Sequence, residues 1–85
     1  MEDKYILIIR PDCIFCDKAI AYLTSGGHHY DIIKIFSDQE ELSNEVKAAY
    51  EWDTFPMVFH RNQNAINFIG GYTDLVKNFE QEKIR

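Results

Sequence analysis

Positive charge is scarce in this chain: nine Lys and Arg stand against 14 Asp and Glu, for a net charge of -5. General binding to nucleic acid or to anionic membranes needs clustered basic residues, so both are disfavoured. Long apolar runs are missing as well. The run Tyr5–Ile9 stops at Arg10, too short for a signal segment or a membrane span. The N-terminal Met1-Glu2-Asp3-Lys4 is acidic rather than basic, and no targeting segment is visible. A cytoplasmic protein is the expectation. Two cysteines do not make a disulfide-dense secreted scaffold. Repeats, low-complexity tracts and linkers are all lacking. What remains is ample for a core: 46% of the 85 residues are apolar and 14% aromatic. One domain over residues 1–85 is expected.

The apolar pattern predicts the order β-α-β-α-β-β-α. Tyr5–Ile9 reads as a central strand covered on both faces. Pro11 breaks it, and Ile14–Leu23 follows as a helix with Cys16, Ala19, Ile20 and Leu23 on one face. Thr24-Ser25-Gly26-Gly27 stops that helix, with a glycine available for a left-handed cap. His28–Phe36 reads as the second strand, reached by a helical crossover. Ser37-Asp38-Gln39-Glu40 has the form of a capping box, with Ser37 as N-cap; the helix behind it places Leu42, Val46 and Ala49 on one side. Met57–Phe59 and Ala65–Ile69, joined at Asn62-Gln63-Asn64, predict a hairpin. Gly70-Gly71 opens a last helix with an apolar face of Leu75, Val76 and Phe79 and a polar tail over Lys77–Arg85. Tyr22, Tyr30, Phe36 and Phe68 are expected in the core. His60 is read as a strand-end surface residue, and Asp38–Glu45 as a solvated helix face.

Three motifs carry chemistry. Cys13-Ile14-Phe15-Cys16 sits directly after a strand and opens a helix. Cysteines at i and i+3 on a first turn are neighbours that can open and close a disulfide. The unpaired N–H groups and partial positive charge of the helix end stabilise a thiolate at the first of them. Cys13 is therefore the nucleophile candidate and Cys16 the resolving thiol. Half a zinc site and a pair of inert core cysteines are the competing readings. Zinc needs a second ligand pair, and only His28, His29 and His60 are at hand. Placement between strand and helix favours redox chemistry.

The second motif is Thr54-Phe55-Pro56. Proline before a strand fits either a trans residue opening an edge strand or a cis bond that exposes the preceding backbone to an extended peptide. The third is Gly70-Gly71-Tyr72-Thr73-Asp74-Leu75. Its glycines allow a sharp turn and close approach, and its helix end suits a carboxylate. Thr73 and Asp74 serve equally as plain capping residues.

In this order and frame, the three motifs resemble those of glutaredoxins, members of the thioredoxin-fold superfamily. The resemblance runs from Tyr5 to about Phe79, and the T-x-P step with G-G-x-x-D-L is its most specific part. It implies an α/β, thioredoxin-like fold: a four-stranded mixed sheet flanked by three helices, with Pro56 cis. It implies a redox-active disulfide between Cys13 and Cys16 and a glutathione extended across the site. Cys13 would form the mixed disulfide, and the Phe55 backbone would pair with the glutathione cysteinyl unit. Thr54 belongs to the same step. Arg10 matches a basic position near the glycyl carboxylate and the thiolate, and Phe15 an aromatic wall. Gly71, Thr73 and Asp74 match the turn that holds the γ-glutamyl end.

This chain departs from the pattern at four positions. Ile14 and Phe15 replace the proline and tyrosine common between the cysteines of dithiol members. Removing that proline frees a backbone N–H in the first helical turn. Trp52 is similar to a feature of monothiol members, whereas Cys16 is not. Asp53 places a carboxylate where a basic or polar residue is common, which would weaken glutathione binding unless Lys47 compensates.

The implied function is that of an enzyme: a glutathione-dependent oxidoreductase serving electron transport and cell redox homeostasis. Its substrates would be protein–glutathione mixed disulfides and disulfides, with ribonucleotide reductase as one conceivable electron acceptor. The alternative is a [2Fe-2S] carrier or sensor, in which Cys13 and glutathione ligate a cluster bridging two copies. Otherwise the chain would be a metal-free monomer.

Overall fold

In the computed structural model, residues 3–84 are described, with side chains through Glu80. The expected acidic start at Met1 and Glu2, the side chains of Gln81–Ile84 in the expected polar tail, and Arg85 lie outside the described residues. The first strand, β1 (Lys4–Ile9), is built of side chains that alternate between two cores. Tyr5, Leu7 and Ile9 enter one, and Ile8, with Ile6 packed against it, enters the other. Such a strand has to lie inside the sheet, and the strand order β2 (Tyr30–Lys34), β1, β3 (Met57–Arg61), β4 (Ile66–Gly70) places it there.

Helix α1 (Ile14–Ser25) follows, and it turns Cys16, Ala19 and Leu23 inward at helical spacing. Gly27 takes the left-handed conformation just beyond it, at φ 71°. Strand β2 (Tyr30–Lys34) runs parallel to β1 and begins two residues later than expected. The His28 N–H is used by Leu23 O at the end of α1, at 3.0 Å, so His28 still belongs to the helix stop.

Helix α2 (Glu40–Tyr50) corrects two expectations. The capping box at Ser37 does not form: Gln39 is the N-cap and makes no side-chain cap bond. A turn takes the residues instead, since Gln39 N–H bonds Phe36 O at 3.0 Å and Gln39 Oε1 accepts from Phe36 N–H at 2.8 Å. The inward side is also rotated. Ser43 is fully buried and Val46 packs on the second core, while Leu42 and Ala49 are exposed.

Strands β3 (Met57–Arg61) and β4 (Ile66–Gly70) form the antiparallel hairpin. Asn62 Oδ1 sets its turn by accepting from the N–H groups of Asn64 and Ala65, each at 3.0 Å. Strand β3 pairs antiparallel to β1, which makes the sheet mixed. Helix α3 (Tyr72–Ile84) joins α1 over the first core, where Leu75 meets Leu7, Leu23 and Val58. The second core, Ile8, Ile35, Met57 and Phe59, lies on the α2 side. Tyr22, Tyr30 and Phe68 pack at the margins of these cores, but Phe36 is exposed beneath Lys34 Nζ, contrary to expectation. His60 lies within β3, half-buried and stacked on Tyr5 at 4.8 Å, so it is not a strand-end surface group. Among the described residues, no helix is long and apolar enough to cross a membrane.

Candidate functional site

Strand β1 delivers Arg10 to one end of the sheet, and Pro11-Asp12 turn the chain into α1. Asp12 sits in the left-handed region at φ 54°, which Asp tolerates better than most side chains. Cys13 is then the N-cap of α1, in extended backbone at φ -114°, ψ 107°. Its carbonyl accepts the first helical bond, from Asp17 N–H at 3.1 Å, and its Sγ accepts from Cys16 N–H at 3.2 Å. A sulfur thus occupies the place that a Ser or Asp oxygen takes in an ordinary cap.

Cys13 and Cys16 are joined in a disulfide, with Cα atoms 5.2 Å apart. Their surroundings differ. Cys13 is half-buried, whereas Cys16 is 1% exposed and belongs to the first core. Ile14 and Phe15, between them, are exposed at 70% and 53%.

The Phe55–Pro56 peptide is cis, and Phe55 O lies 3.6 Å from Cys13 Sγ. Beside it opens a cleft of about 240 Å³ lined by Phe15, Trp52, Thr54, Phe55, Pro56, Gly71, Tyr72, Thr73 and Asp74. Of the positions that the sequence marked, Phe15, Thr54, Phe55, Pro56, Gly71, Thr73 and Asp74 line this cleft, whereas Arg10, Lys47 and Asp53 do not. Arg10 lies off it, with its guanidinium 5.9 Å from the Phe55 ring centre. Asp53 is exposed and does not line it. A larger cleft of about 420 Å³ lies beyond Asp74, among His60, Asn67, Phe68, Ile69, Lys77 and Asn78, and contains no cysteine.

At the start of α3, Gly71 O accepts from Leu75 N–H at 3.0 Å, and Asp74 Oδ2 accepts in return from Gly71 N–H at 3.0 Å. Asp74 therefore both caps the helix and faces the cleft. Of the glycine pair, Gly70 is the one under constraint: its φ is +126°, and a Cβ there would meet Asp74 Oδ2 at 2.6 Å.

The sequence reading marked the Gly70-Gly71 turn but missed Trp52 and Tyr72 as cleft walls. A Trp two residues before the T-x-P step and an aromatic directly after the glycine pair were the available signals. It also read Glu40 as part of a solvated face. Glu40 Oε2 in fact accepts from Arg10 Nη2 at 2.7 Å. That hydrogen bond, then the charge of Arg10, and also that of Lys47, hold the Glu40 carboxyl below the usual Glu range. Among the described residues, no group of three or more His, Cys, Asp or Glu is placed to hold a metal ion.

Comparison with known proteins agrees with this geometry. Residues 5–64 match the family model described as Glutaredoxin. A monothiol glutaredoxin of Arabidopsis thaliana, described as mitochondrial, is 35% identical over 72 residues, or 85% of this chain. The chain spans 39% of the length of that relative. Among solved structures, the holo form of a glutaredoxin from Populus tremula x tremuloides superposes with a TM-score of 0.74 at 21% identity, covering 92% of this chain and 68% of that one. Glutaredoxin 1 from Francisella tularensis, complexed with cacodylate, gives a TM-score of 0.72 at 20% identity, covering 99% of this chain and 100% of that one. At these identities the two structures speak for the fold.

Proposed function

Because the chain belongs to the glutaredoxin family and has its thioredoxin-like fold and cysteine pair, we propose that it is a glutathione-dependent thiol–disulfide oxidoreductase acting on protein–glutathione mixed disulfides. The observation that carries this reading is the placement of Cys13 Sγ at the N-cap of α1, 3.6 Å from Phe55 O and beside the cleft of about 240 Å³.

The Cys13 thiolate, stabilised by the helix end, attacks the glutathione sulfur of the mixed disulfide. A bond forms between Cys13 and glutathione, and the substrate thiolate leaves and takes a proton. A second glutathione thiolate then attacks the glutathione sulfur. Glutathione disulfide departs and the Cys13 thiolate returns. For a protein disulfide the same attack leaves the substrate bonded to Cys13, and the Cys16 thiolate displaces it, closing the Cys13–Cys16 disulfide. Cys16, within the first core, is shielded from outside disulfides and within reach of Cys13.

In this reading the Phe55 backbone pairs with the cysteinyl unit, Thr54 and Phe15 wall the cleft, and Pro56 shapes it. The N-terminal end of α3, with Gly71 and Thr73, takes the γ-glutamyl carboxylate, and Asp74 takes its amine. Arg10 and Lys47 face the opposite carboxylate. Electron transfer to proteins such as ribonucleotide reductase, and work in the cytoplasm, belong to the same proposal.

A second reading is kept alive by Ile14 and Phe15. Exposed apolar side chains beside Cys13 are what a contact between two copies would bury. With the disulfide reduced, the single accessible thiolate of Cys13 fits a [2Fe-2S] cluster only if two copies and two glutathiones complete the four ligands.

Turnover of a glutathionylated peptide, with glutathione as reductant, tests the first reading. Replacing Cys13 by Ser is expected to abolish turnover, whereas Cys16→Ser is expected to keep it within a fewfold of the native rate. An inactive native chain would sink the enzyme reading and leave the cluster, to be sought as visible absorbance after anaerobic loading.

A further inference from the structure

Two cations converge on one aromatic ring beside the reactive sulfur. The Arg10 guanidinium lies 5.9 Å from the Phe55 ring centre, and Lys47 Nζ lies 5.7 Å from it. They arrive from different elements, Arg10 from the end of β1 and Lys47 from the last turn of α2. In a chain with net charge -5, this is a local concentration of positive charge at the rim of the site. The ring quadrupole attracts both cations.

The geometry also shows what such a site accepts, because a carboxylate already sits on it. Glu40 Oε2 is 2.7 Å from Arg10 Nη2, and the two side chains are unequally anchored: Arg10 is 19% exposed and Glu40 66%. The cation is fixed against Phe55, while its partner reaches in from solvent at the first turn of α2. The Arg10 hydrogen bond and charge hold the Glu40 carboxyl below the usual Glu range.

We propose that Glu40 is a built-in competitor: an internal carboxylate that holds Arg10 in the resting chain and has to be displaced by the carboxylate of an incoming ligand. This deepens the glutathione reading and rests on it. One carboxylate of glutathione is assigned to the N-terminal end of α3, and the other, on the glycyl residue, reaches the Arg10–Lys47 side of Phe55. Glu40 then sets the affinity for that end, touching neither the sulfur nor its attack. It is a specificity-determining residue and not a catalytic one. Replacement by Gln leaves Arg10 on Phe55 and removes the competing charge. Exposed pairs of this kind are weak, so the expected gain in affinity is about two- to fivefold at low salt, fading as salt screens the charges.

S-methylglutathione, which cannot exchange, is the probe, and its analogue with the glycyl carboxylate converted to an amide is the control. Both are titrated by NMR into the reduced native chain and Glu40→Gln, at low and at high salt. The expected result is a two- to fivefold tighter complex of Glu40→Gln with the acid at low salt, lost at high salt, and no gain with the amide. A merely structural effect of the substitution would move acid and amide alike, and that result would overturn the inference. So would equal affinity of both chains for the acid. Failure of the folded native chain to bind either probe would overturn the glutathione reading itself and the inference with it.

Discussion

At the scale of single residues, the pairing of Arg10 with Glu40 makes a prediction that does not depend on function. A carboxyl whose folded value is depressed supports the folded state fully above its unfolded value, and that support is lost as pH falls through the folded value. Glu40 therefore keeps its charge to lower pH than an ordinary Glu, through its hydrogen bond to Arg10 and the charge of Arg10. In Arg10→Gln its titration midpoint is expected to rise towards the usual Glu value of about 4.3, as followed by carboxyl carbon NMR. An unchanged midpoint would mean that the pair does not form in solution. The legibility of the site divides along the same line. Cys13 and Cys16, and Gly71, Thr73 and Asp74, sit within a few positions of one another, so spacing alone places each group together. Glu40 meets Arg10 across a separation of 30 residues, and nothing in the local sequence of either residue announces the other.

At the scale of elements, apolar period gave helix and strand identity, and the capping chemistry separated correct from incorrect starts. Helix α3 begins as the Thr73-Asp74 pattern allows, with Asp74 reaching back to the buried Gly71. Loss of that bond in Asp74→Ala is expected to lower stability by about 1–2 kcal/mol, with Asp74→Asn retaining part of it. The readout is the midpoint of urea unfolding at constant slope. Helix α2 had an equally good signature in Ser37 and Glu40, yet a turn closed by Gln39 used up Ser37 first. Its inward face was misread for a related reason. Hydrophobicity pointed to Leu42, but the residue turned fully inward is the small Ser43.

At the scale of the whole molecule, the two faces of the sheet are unequal. Helices α1 and α3 cover one face around Leu7, Leu23 and Leu75, all fully buried. On the α2 side, Ile33, Tyr50 and Ile66 remain substantially exposed. Stability should follow that division. Leu23→Ala is expected to cost about 2–5 kcal/mol, a large share of what so small a domain possesses. Ile33→Ala, at an edge strand, is expected to cost about 1 kcal/mol or less. Chemical unfolding of the two variants measures both, and equal losses would contradict the asymmetry. The interior place of β1 was readable because its side chains are apolar on both faces, which only an interior strand allows. The uneven cover was not readable, because how closely a helix lies on a sheet depends on contacts distant in sequence.

The N–H of Cys16 against the sulfur of Cys13 has one more consequence. Coupling between two events is reciprocal, so whatever the helix end lends to a charged sulfur, a charged sulfur returns to the helix end. The first turn of α1 is wound most firmly when that atom is an anion, and it slackens once the atom is shared with another molecule. In the proposed reaction, releasing glutathione from Cys13 is then also an act of rewinding, and the backbone itself favours the empty, charged sulfur.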